Sequence, residues 1–251
     1  MTPEAGLQAA GLLGLVLLVG AGVYRFWVGG NGNRWGAALG GLLVACAALG
    51  SILHLAWEMN GSLDGWRDMA TGTHPGRMLT VRAGVALLLL FGWRRLWLWA
   101  PLSVALLWTF SSVSHAQSWL LFSFDMLHGA AACAWMGALG YTVLSGSDVG
   151  YERLSRIGMG SVMVLALSGG YAAWIHVGTL TALWTTDYGK VLLVKLALVA
   201  CGLGLAGLNR QIFLPQVATR HRAFRRCMAV EATILVGVLA VTGLLTTSDV
   251  P

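Results

Sequence analysis

Runs of about 20 apolar residues recur along the whole of this 251-residue chain. Hydrophobic residues make up 57% of the sequence and charged residues only 10%, whereas a soluble domain carries about 25% charged residues. Such a chain has too few charges to solvate a globular surface, and its long, non-alternating runs argue against strands. The sequence therefore predicts an all-α polytopic membrane protein with no room for an extramembrane domain.

Eight apolar runs are predicted to form eight transmembrane helices in a bundle, because each is long enough to cross the hydrocarbon core. The third and fourth runs join almost directly at Arg94 and Arg95, which predicts a tight antiparallel hairpin. We divide the chain into an N-terminal four-helix half, residues 1–121, and a C-terminal four-helix half, residues 122–251. The predicted spans are 5–27, 35–57, 78–94, 96–114, 122–145, 154–176, 189–209 and 223–246.

The positive charges predict the orientation of the bundle. Eleven of the 16 basic residues fall at one set of loop ends, which the positive-inside rule places in the cytoplasm. Both termini are then external, and the net charge of +6 reflects cytoplasmic loops rather than a nucleic-acid-binding surface. No basic residue precedes the first span, so we expect that span to be retained rather than cleaved as a signal peptide.

Four of the six histidines lie at or near the external ends of separate spans in this topology. Ionisable residues inside a membrane are functional candidates by default, and neutral imidazole is the commonest metal ligand. Met59 and Met126 lie at the same margin, and thioether sulfur suits Cu(I). Glu58 and Asp125 are expected to orient the imidazoles through hydrogen bonds. The histidines of this predicted copper site are His54, His115, His128 and His176.

Two alternative functions assign other roles to the same histidines. A pair of them can bind haem b as axial ligands in a membrane redox protein, although the cytoplasmic half lacks the intramembrane histidine that a two-haem relay needs. Alternatively, the chain is a structural or assembly subunit whose interfacial histidines bind nothing. We find no phosphate loop, nucleophile elbow or pair of catalytic carboxylates, and no CxxC pair. The sequence therefore favours a binding or transport protein over an enzyme.

Charged residues also occur inside the last two spans. Lys195 lies about 9 Å from the external end of its span and is expected to extend outward, towards Asp187. Glu231 lies about 12 Å from the opposite end of the last span, where Asn209 and Arg210 are its expected partners. Few soft groups extend a path for copper towards the cytoplasm: Cys133, Met136, Met159 and Met163.

From about residue 125 to its end, the chain resembles the copper resistance protein D (CopD) family. The most specific match is the tract with Tyr188, Gly189, Lys190 and Lys195, and the next is His128 with Trp135 and Gly137. Ala138 departs from the double glycine that the family pattern has after Trp135. The matching segments are LHGAAACAWMGAL at 127–139, RLSRIGM at 153–159, LTALWTTDYGKVLLVKLALV at 180–199, GLNR at 207–210 and FRRCMAVEATILVGVLAVTGLL at 224–245.

This resemblance implies an eight-helix protein of the bacterial inner membrane that handles copper, for import or resistance. It also implies a small periplasmic copper-binding protein as a partner, and residues 122–251 as a CopD-like half. The family's metal-handling position maps onto His128. The assignment of His54, His115 and His176 comes from the topology instead.

Overall fold

The computed structural model describes residues 2–31, 34–113, 118–146 and 150–248, and these ranges contain helices and no strands. The chain is therefore all-α over the part that is described, as predicted. The α-helices are α1 (Pro3–Val23), α2 (Arg34–Asn60), α3 (Trp66–Gly72), α4 (His74–Gly92), α5 (Leu96–Ser111), α6 (Trp119–Ser145), α7 (Tyr151–Val177), α8 (Ala182–Thr185), α9 (Asp187–Leu208) and α10 (Val217–Thr246).

Six helical stretches of the described residues are long and apolar enough to cross a membrane. One further apolar helix, α5, is shorter, with 16 residues. This number of long apolar helices makes the chain a multi-pass membrane protein. The six stretches are Pro3–Val28, Arg34–Met59, His74–Gly92, Trp119–Ser145, Tyr151–Val177 and Asp187–Thr246.

The last of these stretches is a helical hairpin rather than one straight helix. Its 60 residues would extend for about 90 Å, three times the thickness of the hydrocarbon core. The chain reverses between α9 and α10 through a π-helical turn, Asn209–Phe213, and a 3-10 turn that contains Pro215. The two helices then pack against each other, and Gly202 of α9 faces Leu235 of α10.

The two ends of the bundle differ in their residues. One, which we call the histidine end, carries the start of α6 and α9 and the end of α2 and α7. The other, the arginine end, carries Arg153, Arg210 and Arg225. Gly243 of α10 packs against Ala5 of α1. The start of α1 and the end of α10 therefore both lie at the histidine end.

Hydroxyl groups cap the four long helices that begin at the histidine end. Thr2, Thr73, Ser118 and Thr186 each accept a hydrogen bond from the backbone N–H three residues later, at 3.0–3.3 Å. A Ser or Thr side chain in this position satisfies one of the free N–H groups of the first turn. These caps start α4, α6 and α9 two to four residues before the predicted spans.

Helix α1 is the centre of the bundle, because it packs against α2, α5, α6 and α10. Leu18 and Ala21 of α1 are fully buried, and so is Tyr24 directly after its end. Glycines allow this close packing: a Cβ on Gly137 of α6 would lie only 2.9 Å from the carbonyl oxygen of Val16 in α1. Small residues at such crossings let helix backbones approach in lipid.

Helices α7 and α9 leave a groove between them, which side chains of the described residues bridge near its two ends. At the arginine end, Arg210 Nη1 donates to the Ser155 hydroxyl at 2.6 Å. At the histidine end, the rings of His176 and Tyr188 lie 6.3 Å apart. We call the space between these bridges, with α6 and α10 behind it, the α7–α9 groove.

Candidate metal-binding site

The side chain of His128 reaches from α6 to α7 near the histidine end of the α7–α9 groove. Its Nδ1 lies 3.0 Å from the hydroxyl oxygen of Ser168, and its Cε1 faces Gly169. Ser168 is buried, and Gly169 has no side chain to fill the space that the imidazole occupies. Ser168 and Gly169 thus hold the ring in one orientation.

The hydrogen bonds of Ser168 assign the tautomer of His128. The Ser168 hydroxyl donates its single proton to the carbonyl of Val164 at 2.6 Å. It must therefore accept from His128, which places the imidazole proton on Nδ1. The neutral ring then has its lone pair on Nε2, the arrangement in which a histidine binds a metal while its other nitrogen is anchored.

Two charged side chains accompany His128. Lys195 of α9 lies close enough to interact electrostatically with His128, and Asp125 of α6 does the same with Lys195. The sequence predicted that the Lys195 side chain extends towards Asp187, whereas in the structure it interacts with Asp125. Asp187 is paired with Lys190 at 3.1 Å, because a residue three positions along the helix is within reach. Lys195 lies about two turns beyond Asp187, deeper in the bundle.

His176 lies nearer the histidine end than His128. Its Nδ1 donates to the carbonyl of Ala172 at 2.8 Å, so its Nε2 also carries the lone pair. Ser168 and His176 are eight residues apart on α7, which is about 12 Å along the helix axis. The two imidazoles therefore lie at different depths of the bundle.

His54 and Met59 lie on α2, which packs against α1 and α4 rather than against α7. His54 Nε2 is 3.3 Å from a carboxylate oxygen of Glu58, which was expected to orient an imidazole. Met59 is 62% exposed, whereas Met126 of α6 is packed against the main core. The structure thus separates His54 and Met59 from the residues around His128.

His115 lies outside the described residues. Within the described ranges, no group of three or more His, Cys, Asp or Glu side chains is placed to hold a metal ion. The predicted gathering of all four histidines is therefore not seen there. The individual histidines remain candidate ligands.

A second polar cluster occupies the arginine-end half of the α7–α9 groove. Asn209 Nδ2 donates to the carboxylate of Glu231 at 2.8 Å, which confirms the predicted pairing of these residues. The indole of Trp135 is a further hydrogen-bond partner of this carboxylate. Arg210, the other predicted partner, contacts Ser155 instead. The cluster lines a cavity of about 260 Å³ between α6, α7, α9 and α10, which the sequence did not predict.

The family model described as CopD, copper resistance protein D, matches residues 151–245. Over these residues, the chain is similar to the CopD family. The CopD segment includes Ser168, Lys195 and Glu231, while His128 lies on the helix that precedes it. The family resemblance proposed from residue 125 onward is thus confirmed over α7, α9 and nearly all of α10. No curated protein and no solved structure matches the chain.

Proposed function

We propose that this protein binds copper through His128 at the histidine end of the bundle and takes part in copper import or resistance. The single observation that carries this proposal is the Ser168–His128 hydrogen bond, which leaves Nε2 of a fixed, neutral imidazole available as a ligand. We choose copper as the metal because the segment that includes Ser168 matches the CopD family, which is described as copper resistance protein D.

The ligand set that we propose is centred on His128, with Asp125 beside it. Asp125 lies three residues before His128, so both residues are on the same side of α6. Lys195 lies close enough to interact electrostatically with Asp125. Further candidate ligands are His54, His115, His176, Met59 and Met126.

We place the histidine end outside the cytoplasm, in an eight-span arrangement with both termini external. The eight long helices lie at the positions of the eight predicted apolar runs, and the arginine end carries the basic residues that the positive-inside rule assigns to the cytoplasm. In a bacterial inner membrane, the His128 site then faces the periplasm. A small periplasmic copper-binding protein is a suitable donor of the ion.

Titration of the detergent-purified protein with Cu(I) against a competing chelator tests the proposal. We expect His128→Ala to weaken Cu(I) binding about tenfold or more. His74→Ala is the matched control, because His74 is exposed at the same end of the bundle and lies outside the site. Equal affinities for the wild type and His128→Ala would contradict the proposal.

An optical spectrum of the same preparation tests the haem alternative. Haem bound by two histidines needs two imidazoles at one iron, and His176 is about 12 Å along α7 from Ser168, the partner of His128. We therefore expect no Soret band in protein expressed with ample haem. A near-stoichiometric Soret band that sharpens on reduction would replace the copper proposal with a cytochrome.

A further inference from the structure

The cavity at the arginine-end half of the α7–α9 groove contains an acidic side chain without a basic partner. Glu231 is only 3% exposed, and its hydrogen-bond partners are the amide of Asn209 and the indole of Trp135. Among the described residues, no basic side chain forms an ion pair with it. A buried carboxylate is costly unless a positive charge or a proton compensates it.

An unpartnered oxygen lies beside this carboxylate. Asn209 is 93% buried, since 7% of its surface is exposed, and it lines the cavity. Its Nδ2 is committed to Glu231, which orients the amide and leaves Oδ1 with no hydrogen-bond donor among the described residues. Buried polar atoms without a partner are rare and call for an explanation.

Soft sulfur ligands line the same cavity. Met228, on α10 one turn before Glu231, is 2% exposed, and Met159 and Met163 of α7 lie on the opposite wall. Thioether sulfur favours Cu(I) over hard divalent ions. One positive charge would also neutralise the single carboxylate, whereas a divalent ion would leave a net charge in the membrane.

We infer that Glu231, Asn209 Oδ1 and the Met228 thioether form a second site, for a soft monovalent cation, in this inner cavity. The inference rests on the proposed function only in taking copper as the transported ion. Trp135 in the cavity wall is seven residues from His128 on α6, about 10 Å along the axis. On α7, Met163 of the cavity wall is five residues from Ser168, about 8 Å along the axis.

The stoichiometry of Ag(I), a redox-inert substitute for Cu(I), tests this inference on the full-length protein in detergent. The measurement is made with the four free cysteines replaced by alanine, because thiols also bind Ag(I). In that background we expect the otherwise wild-type protein to bind two Ag(I) ions per chain. Glu231→Gln and Met228→Leu should each remove one of them, and His128→Ala should remove the other. Met228→Leu replaces a thioether with an apolar side chain of similar volume, so it tests the ligand without a large packing change. Met78→Leu is its control, since Met78 is on α4 and does not line the cavity.

Each outcome separates the two sites. If Glu231→Gln and Met228→Leu both bind two ions, the inner site is overturned while the proposed function stands. If the wild type binds one ion and loses it only in the two cavity variants, the inner site stands and the role of His128 is overturned. A wild type that binds no Ag(I) overturns both.

Discussion

At the residue scale, the hydroxyl of Ser168 determines what His128 can bind. Because that hydroxyl donates to the Val164 carbonyl, it accepts from Nδ1 and leaves Nε2 as the ligand. We predict that Ser168→Ala weakens Cu(I) binding about tenfold, the usual effect of removing a group that orients a metal ligand. Competitive titration with a Cu(I) chelator measures the change. Ser161→Ala makes the same substitution at another buried serine of α7, and it should bind as the wild type does. Equal loss in both variants would indicate a general effect on α7. The sequence predicted His128 as a candidate ligand and paired Glu231 with Asn209. It could not predict the role of Ser168, because that role depends on which face of α7 meets α6. The predicted extension of Lys195 towards Asp187 differs from the structure for a similar reason. Lys190 is nearer to Asp187 along the same helix.

At the scale of the helices, the crossing of α1 and α6 depends on the absence of a side chain at Gly137. A Cβ there would contact the carbonyl of Val16 and the backbone of Gly20. We predict that Gly137→Ala lowers the stability of the folded protein by about 1–3 kcal/mol, as overpacking does in a filled core. Gly140→Ala is the matched control on the same helix, since a Cβ at Gly140 has nothing within 4 Å. It should leave stability unchanged or raise it by up to about 1 kcal/mol, because alanine favours the helix. Thermal unfolding in detergent compares the two variants, and equal midpoints would contradict the prediction. Helix positions follow from the apolar runs, which are local properties of the sequence. Helix starts were predicted too late at α4, α6 and α9, although Thr73, Ser118 and Thr186 are recognisable capping residues. Helix order around α1 depends on long-range packing, and it therefore could not be read from the apolar runs.

At the scale of the whole molecule, the arrangement predicts the side of the membrane on which each loop lies. The start of α1 and the end of α10 are at the histidine end, and the end of α6 and the start of α7 are at the arginine end. We predict that alkaline phosphatase is active when fused after residue 248 and inactive when fused at the connection between α6 and α7. A fluorescent protein that matures only in the cytoplasm should give the reverse result at both sites. Phosphatase activity at both positions, or at neither, would contradict the proposed topology. Assayed in whole cells, these fusions test sidedness independently of copper binding.

The contact of Gly243 with Ala5 and Ala9 brings the end of α10 and the start of α1 together. The order in which the helices follow one another along the chain could therefore be changed without changing where each helix lies in the bundle. A short peptide from the end of α10 to the start of α1 would close the backbone into a ring without displacing a helix. The ring can then be opened at the α6–α7 connection, which yields a circular permutant with its new termini on the opposite side of the membrane. In that permutant the CopD-matching helices would precede α1 in the order of synthesis.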